Sequence, residues 1–205
     1  LDAMRGLRKQ ARQLGLGFLV TPFSLGDVAD LATLDVDGIK IASPDAVNTP
    51  LLHAAAELGR PMLVSTGTCD LDELDVAADV VRHTGGVLLH CVSAYPTPDP
   101  DAALAGIAVL DQYFALDGAV GYSAHTGSLD TGALAVTAGA VVLEKHLTHD
   151  RAAPGPDHAA SLEPADFATY VAGVRRASSM VGPRRKTCSA VERDVQKVSR
   201  QSVCV

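Results

Sequence analysis

The chain has 205 residues, 47% hydrophobic and 20% charged, and a formal net charge of −7 at pH 7. This composition suits one globular core of moderate size and excludes an intrinsically disordered chain. The acidic balance, with no basic block before residue 184, argues against a nucleic-acid partner, and no apolar stretch is long enough to span a membrane.

Residues 1–14 place Leu1, Met4, Leu7, Ala11 and Leu14 on one helical face among basic side chains. Gly15 and Gly17 break that pattern, and GFLVTPFS over 17–24 reads as a strand ending at Thr21-Pro22. A helix over 24–34, a strand over 38–45 and a helix over 49–58 follow, the last stopped by Gly59. Next come a strand over 61–68, a helix over 71–84 stopped by Gly85-Gly86, a strand over 87–97 and a helix over 100–114. The series closes with a strand over 118–123, a helix over 130–138 and a strand over 140–146. A final helix opens at Glu163-Pro164 and runs to Gly182.

The six strands begin near residues 17, 37, 61, 86, 118 and 140, so the units repeat every 20 to 32 residues. That spacing suits right-handed βα units in a parallel sheet, and continuous apolar runs suit strands buried on both faces. Every strand ends in polar residues: Thr21; Lys40 with Ser43; Ser65 with Thr66; Ser93 with Tyr95; Ser123 with His125; Glu144 with His146. A barrel gathers such groups from many strand ends at one rim, whereas an open sheet concentrates them at a switch point. No GxGxxG follows an early strand. The expected fold is therefore an α/β, TIM-type (β/α) barrel over residues 1–182, with six of the usual eight units present. A complete barrel runs to roughly 250 residues, and the first helix has no strand before it, so two N-terminal βα units are expected to be absent from this chain.

His125 and His146 end neighbouring strands and face one volume, which suggests a divalent-metal pair, with Glu144 on the same strand face as His146. Lys40 interrupts the apolar run GIKIA, and a lysine there needs a partner for its charge. Ser65-Thr66-Gly67 offers hydroxyls and backbone N–H groups suited to a phosphate. Cys69, Cys91, Cys188 and Cys204 lack CxxC spacing and read as free thiols of a reducing cytoplasm. His53, His83, His90 and His149 are assigned no role beyond surface or core packing.

Seven segments carry a resemblance: TPFS at 21–24, KIAS at 40–43, PMLVSTGT at 61–68, LLHCVSAYPTP at 88–98, GYSAHTG at 121–127, EKHLT at 144–148 and GPDHAASLEP at 155–164. In this order they resemble the barrel portion of the sialic acid synthase family. The resemblance implies condensation of phosphoenolpyruvate with an N-acetylhexosamine, N-acetylmannosamine-like, to give a nonulosonic acid and phosphate. It assigns Lys40, Ser43 and Ser65 to the phosphate of phosphoenolpyruvate, and Thr21 and Ser123 to its carboxylate. Ser93, Tyr95 and Asp157 would face the sugar, and His125 and His146 would hold Mn²⁺ or Mg²⁺. It also implies a cytoplasmic homodimer, and it makes residues 183–205 a linker toward a C-terminal antifreeze-like domain that this chain lacks. The chain departs from the family pattern at three places. Ser43-Pro44-Asp45 stands for SGE and shortens the carboxylate side chain at Asp45, Ala124 stands for an aspartate, and Cys91-Val92-Ser93 stands for Cys-Thr-Asn/Ser. The neuraminate, legionaminate, pseudaminate and 9-phosphate branches stay open on these residues. Two other readings are a fragment or degenerate paralogue that binds a phosphorylated ligand without turnover, and a different phosphoenolpyruvate-condensing synthase of 2-keto sugar acids. The GPDHAASLEP loop speaks against the second.

Overall fold

In the computed structural model of the chain, residues 1–183 and 185–200 are described. The strands are β1 Leu19–Val20, β2 Gly38–Ile41, β3 Met62–Ser65, β4 Val87–Cys91, β5 Val120–Ala124 and β6 Leu143–Lys145. They form one parallel sheet in the order β1-β2-β3-β4-β5-β6. The helices are α1 Asp2–Gln13, α2 Leu25–Leu31, α3 Thr49–Ala56, α4 Asp75–Thr84, α5 Gly106–Phe114, α6 Thr131–Thr137, α7 Pro164–Val181 and α8 Arg193–Ser199. The result is a six-stranded curled parallel sheet, a half-barrel, with α2 to α7 following the strands in turn. A strictly sequential order contains no reversal point, so the polar strand ends share one edge.

Local chemistry accounts for the punctuation. Ser24 caps α2 by accepting the Asp27 N–H at 3.1 Å, a contact worth about 1 kcal/mol. Asn48 and Pro50 start α3. Gly85, at φ 66°, ends α4 in the left-handed region, where a side chain is strained. The strands are shorter than the apolar runs that announce them. Pairing stops where the chain turns outward to deliver polar side chains, so Ser43, Tyr95, His125 and His146 lie just past strand ends rather than within them.

Alternation divides the sheet. Ile39, Ile41, Met62, Val64 and Leu88 are sealed against the helices, with Leu51, Leu52, Ala77, Ala78 and Ile107 in the same core. The opposite face carries Lys40, Ser65, Cys91, Ser123 and Glu144. Cys91 pairs in register with Ser123, and Ser123 with Glu144, giving a polar row across three strands.

α1 forms as its periodicity predicts, yet none of its residues is buried; Leu1, Leu7 and Leu14 are exposed, and Met4 alone among its large apolar residues packs on the core. Among the described residues, no helix is long and apolar enough to cross a membrane. Beyond Gly182, a turn at Ala190–Glu192 leads into α8, whose Val195 and Val198 are exposed. Cys204 lies outside the described residues; Cys69, Cys91 and Cys188 are free thiols.

Candidate active site

A cleft opens at the C-terminal edge of the sheet, lined by Thr21, Phe23, Lys40, Ala42, Ser43, Pro44, Ser65, Cys91, Tyr95, Ser123, His125, Glu144, Lys145 and His146. Nine residues singled out in the sequence thus converge: Thr21, Lys40, Ser43, Ser65, Tyr95, Ser123, His125, Glu144 and His146.

Lys40 enters from β2 between the sealed Ile39 and Ile41. Its ammonium donates to the Ile41 carbonyl at 2.6 Å and lies 3.7 Å from the Glu144 carboxylate across the cleft. Burial lowers its pKa, and Glu144 opposes that shift. The partner that an inward lysine requires is therefore Glu144. Beside it, the buried Ser43 hydroxyl accepts the Gly67 N–H at 3.1 Å and lies 3.5 Å from the Cys91 thiol. Gly67 is a close approach, because a Cβ there would collide with the Ser93 hydroxyl. Ser65 is 2% exposed, and its Oγ has no hydrogen-bond partner among the described residues. An orphaned hydroxyl at a strand tip in a polar cleft is placed to receive a ligand oxygen.

His125 and His146 stand with ring centroids 5.3 Å apart, and Tyr95 lies 4.1 Å from the first ring and 5.9 Å from the second. His125 Nδ1 lies 2.8 Å from the Val92 carbonyl. Such a contact holds the proton on Nδ1 and leaves the Nε2 lone pair free. Burial lowers the pKa of both rings; the neighbouring His125 lowers that of His146 further. Two imidazoles biased to the neutral form suit a divalent ion. No group of three or more His, Cys, Asp or Glu completes a metal cage among the described residues. Glu144 faces Lys40 instead of adding a third ligand. The donors present would supply two imidazole nitrogens to such an ion.

Four expected residues lie off the cleft wall. Thr66 commits both its N–H and its hydroxyl to the Leu89 carbonyl, each at 3.0 Å, which turns it into the β3–β4 joint. The Asp45 carboxylate accepts from Asn48 at 2.9 Å, within the turn that starts α3. Ser93 is exposed above Gly67. Asp157 is exposed in the 149–163 loop, near enough for its charge to act on Tyr95 and His146. His53, His83 and His149 are exposed; His90 is half-buried and stacks on Tyr122 at 5.9 Å.

Sequence reasoning missed Phe23, Cys91 and Lys145 as lining residues. TPFS gave no hint that Phe23 would border the cleft, and Cys91 reads as a thiol until the row Cys91, Ser123, Glu144 is assembled. Lys145 follows an inward glutamate, so its side chain belongs to the other face of β6. Its ammonium meets the carbonyls of Ala124, Thr126 and Ala160, and burial together with Arg151 lowers its pKa to about 8.

A parallel half-barrel with a histidine-and-lysine cleft at its C-terminal edge defines a class of βα-unit proteins with a polar strand-end site. Residues 1–186 match the NeuB family, and the chain belongs to that family. It is 38% identical over 200 residues to an uncharacterized protein of Methanocaldococcus jannaschii, covering 96% of this chain and 59% of that protein. It is 38% identical over 204 residues to the N,N'-diacetyllegionaminic acid synthase of Legionella pneumophila, covering 96% of this chain and 57% of that enzyme. The crystal structure of the N-acetylneuraminic acid (sialic acid) synthetase of Leptospira borgpetersenii, in complex with citrate, superposes with a TM-score of 0.88 at 31% identity. That match covers 96% of this chain and 69% of the synthetase. The chain thus spans less than three-fifths of the length of these two curated relatives.

Proposed function

We propose that this cleft binds phosphoenolpyruvate and an N-acetylhexosamine and serves their condensation to a nonulosonic acid and inorganic phosphate. The carrying observation is the union, on one strand edge, of a half-buried lysine, an orphaned serine hydroxyl and a pair of neighbouring histidines. Relatives named as legionaminic acid and sialic acid synthases support the same reaction class. The half-barrel is proposed as part of an eight-unit TIM-type barrel, a reading supported by its sequential parallel order.

Lys40, Ser43 and Ser65 hold the phosphate end, with Lys40 donating a charge-assisted hydrogen bond. Thr21 and Ser123 orient the carboxylate, so that the enol carbon C3 faces the sugar aldehyde. Tyr95, Ser93 and Asp157 border the sugar. Bond formation joins C3 of phosphoenolpyruvate to C1 of the sugar; water then adds at C2 and phosphate leaves. His125 and His146 would hold Mn²⁺ or Mg²⁺, which when bound supplies Lewis acidity at the aldehyde oxygen. Which sugar is taken rests on the rim residues. A cytoplasmic homodimer is proposed from the family resemblance, and free Cys69, Cys91 and Cys188 support a reducing compartment.

The test is phosphate release from phosphoenolpyruvate, measured across a panel of N-acetylhexosamines with Mn²⁺. Release with at least one sugar, abolished by chelation and restored by added Mn²⁺, is expected. Activity that survives exhaustive chelation would remove the metal from the reading; no release with any sugar would leave a ligand-binding protein.

A further inference from the structure

We propose that Lys145 is a positioning residue whose ammonium holds the two histidines and the 149–163 loop in one arrangement; its metal arm rests on the ion-binding reading above. On β6, Glu144 pairs in register with Ser123 and Lys145 with Ala124, so the two side chains leave opposite faces. Lys145 Nζ lies 3.4 Å from the Ala124 carbonyl and 3.3 Å from that of Ala160, and also donates to the Thr126 carbonyl. Ala124 and Thr126 flank His125; Ala160 ends the turn that follows Asp157; and Lys145 itself precedes His146. One cation therefore ties together the three segments that carry His125, His146 and Asp157.

Among the described residues, no carboxylate forms an ion pair with this lysine. A partly buried ammonium satisfied by neutral carbonyls alone is costly, and it persists where converging dipoles replace a counter-ion. The carbonyls, in turn, are drawn to one point. Two backbone bonds complete the loop's return: Leu162 N–H donates to His146 O at 3.0 Å, and Thr148 N–H donates to Leu162 O at 2.9 Å. Those bonds fix the chain after His146, but neither reaches His125. Lys145 spans that interval.

The test compares Lys145→Met and Lys145→Arg with the unaltered protein by amide hydrogen exchange, Mn²⁺ titration calorimetry and phosphoenolpyruvate titration. Lys145→Met is expected to speed exchange at the Thr148 and Leu162 amides and to weaken Mn²⁺ binding about ten- to a hundredfold. Its phosphoenolpyruvate affinity should stay within about twofold, and Lys145→Arg, which keeps several donors, should recover most of the metal affinity. Unchanged exchange and unchanged Mn²⁺ affinity overturn the proposal. A selective loss of phosphoenolpyruvate binding overturns it too, because Lys145 would then be an anion contact. If the unaltered protein binds no Mn²⁺, the ion-binding reading fails, and exchange alone decides whether the clamp exists. Should Lys145→Met not fold, Lys145→Gln, which keeps two N–H donors without the charge, is read in its place.

Discussion

Lys40 is held between two requirements. Its charge must reach the cleft, yet burial penalises that charge, and Glu144 at 3.7 Å is the counterweight. Glu144 keeps about two-fifths of its side-chain exposure, so water can still solvate it when Lys40 is removed. Lys40→Met should therefore leave a folded protein. It should raise the phosphoenolpyruvate KM about ten- to a hundredfold, the loss of one hydrogen bond to a charged group. Steady-state kinetics with each substrate varied in turn checks this; a change confined to the sugar KM would reverse the placement of the two substrates. Lys40 was legible because a cation inside an apolar run has few innocent explanations. Thr66 was not: a hydroxyl beside Ser65 reads as another ligand until its bonds to the Leu89 carbonyl are seen. Strand alternation separates the two, yet a short run gives no sign of where a strand stops.

At the scale of elements, α1 shows what periodicity leaves out. The pattern marks the apolar face correctly but says nothing of what covers it. In the structure Leu1, Leu7 and Leu14 stay exposed, and the helix is tied chiefly through charge. Arg8, Arg12 and Arg60 all reach Asp35, the last two at 3.0 and 2.9 Å, and Arg8 Nε adds a bond to the Asp35 carbonyl at 2.9 Å. Arg12, with Arg8 and Arg60, holds the Asp35 carboxyl below its ordinary value. A depressed carboxylate stabilises above its unfolded pKa of about 3.9, and the contribution is lost as pH falls through the lower folded value. Docking of α1 should thus be complete at neutral pH and weaken in acid below about pH 4. Asp35→Asn should raise hydrogen exchange in α1 at pH 7 and abolish this acid dependence. Exchange in β2 to β5 should not change. Equal protection of α1 in both proteins would show that Met4, not the arginines, anchors the helix.

At the scale of the whole molecule, the sheet of the described residues has two edges, β1 and β6, each paired there on one side only. β6 is followed immediately by the histidine on which the site depends, and unpaired edges invite other chains. Residues 1–205 expressed by themselves should therefore self-associate, which size-exclusion chromatography and concentration-dependent melting would reveal. A monodisperse monomer with a sharp transition would show that six strands suffice. The unit count, the parallel order and the polar edge were all readable in advance, because alternating apolar runs and Gly stops are local signals. The loop bonds that join Ala124, Thr126 and Ala160 to Lys145 were not, since they link segments that no spacing relates.

The sequential pairing of the strands also sets an order of assembly. Each βα unit finds its neighbour already made, so the sheet can grow in one direction as the chain leaves the ribosome, without waiting for distant partners. Ser43, just past β2, and Ser65, at the end of β3, fall into place early. The His146 carbonyl, however, is bonded by the amide of Leu162, so the second imidazole is held only after sixteen further residues have been made. A nascent chain would thus carry the lysine-and-serine half of its cleft before the histidine half.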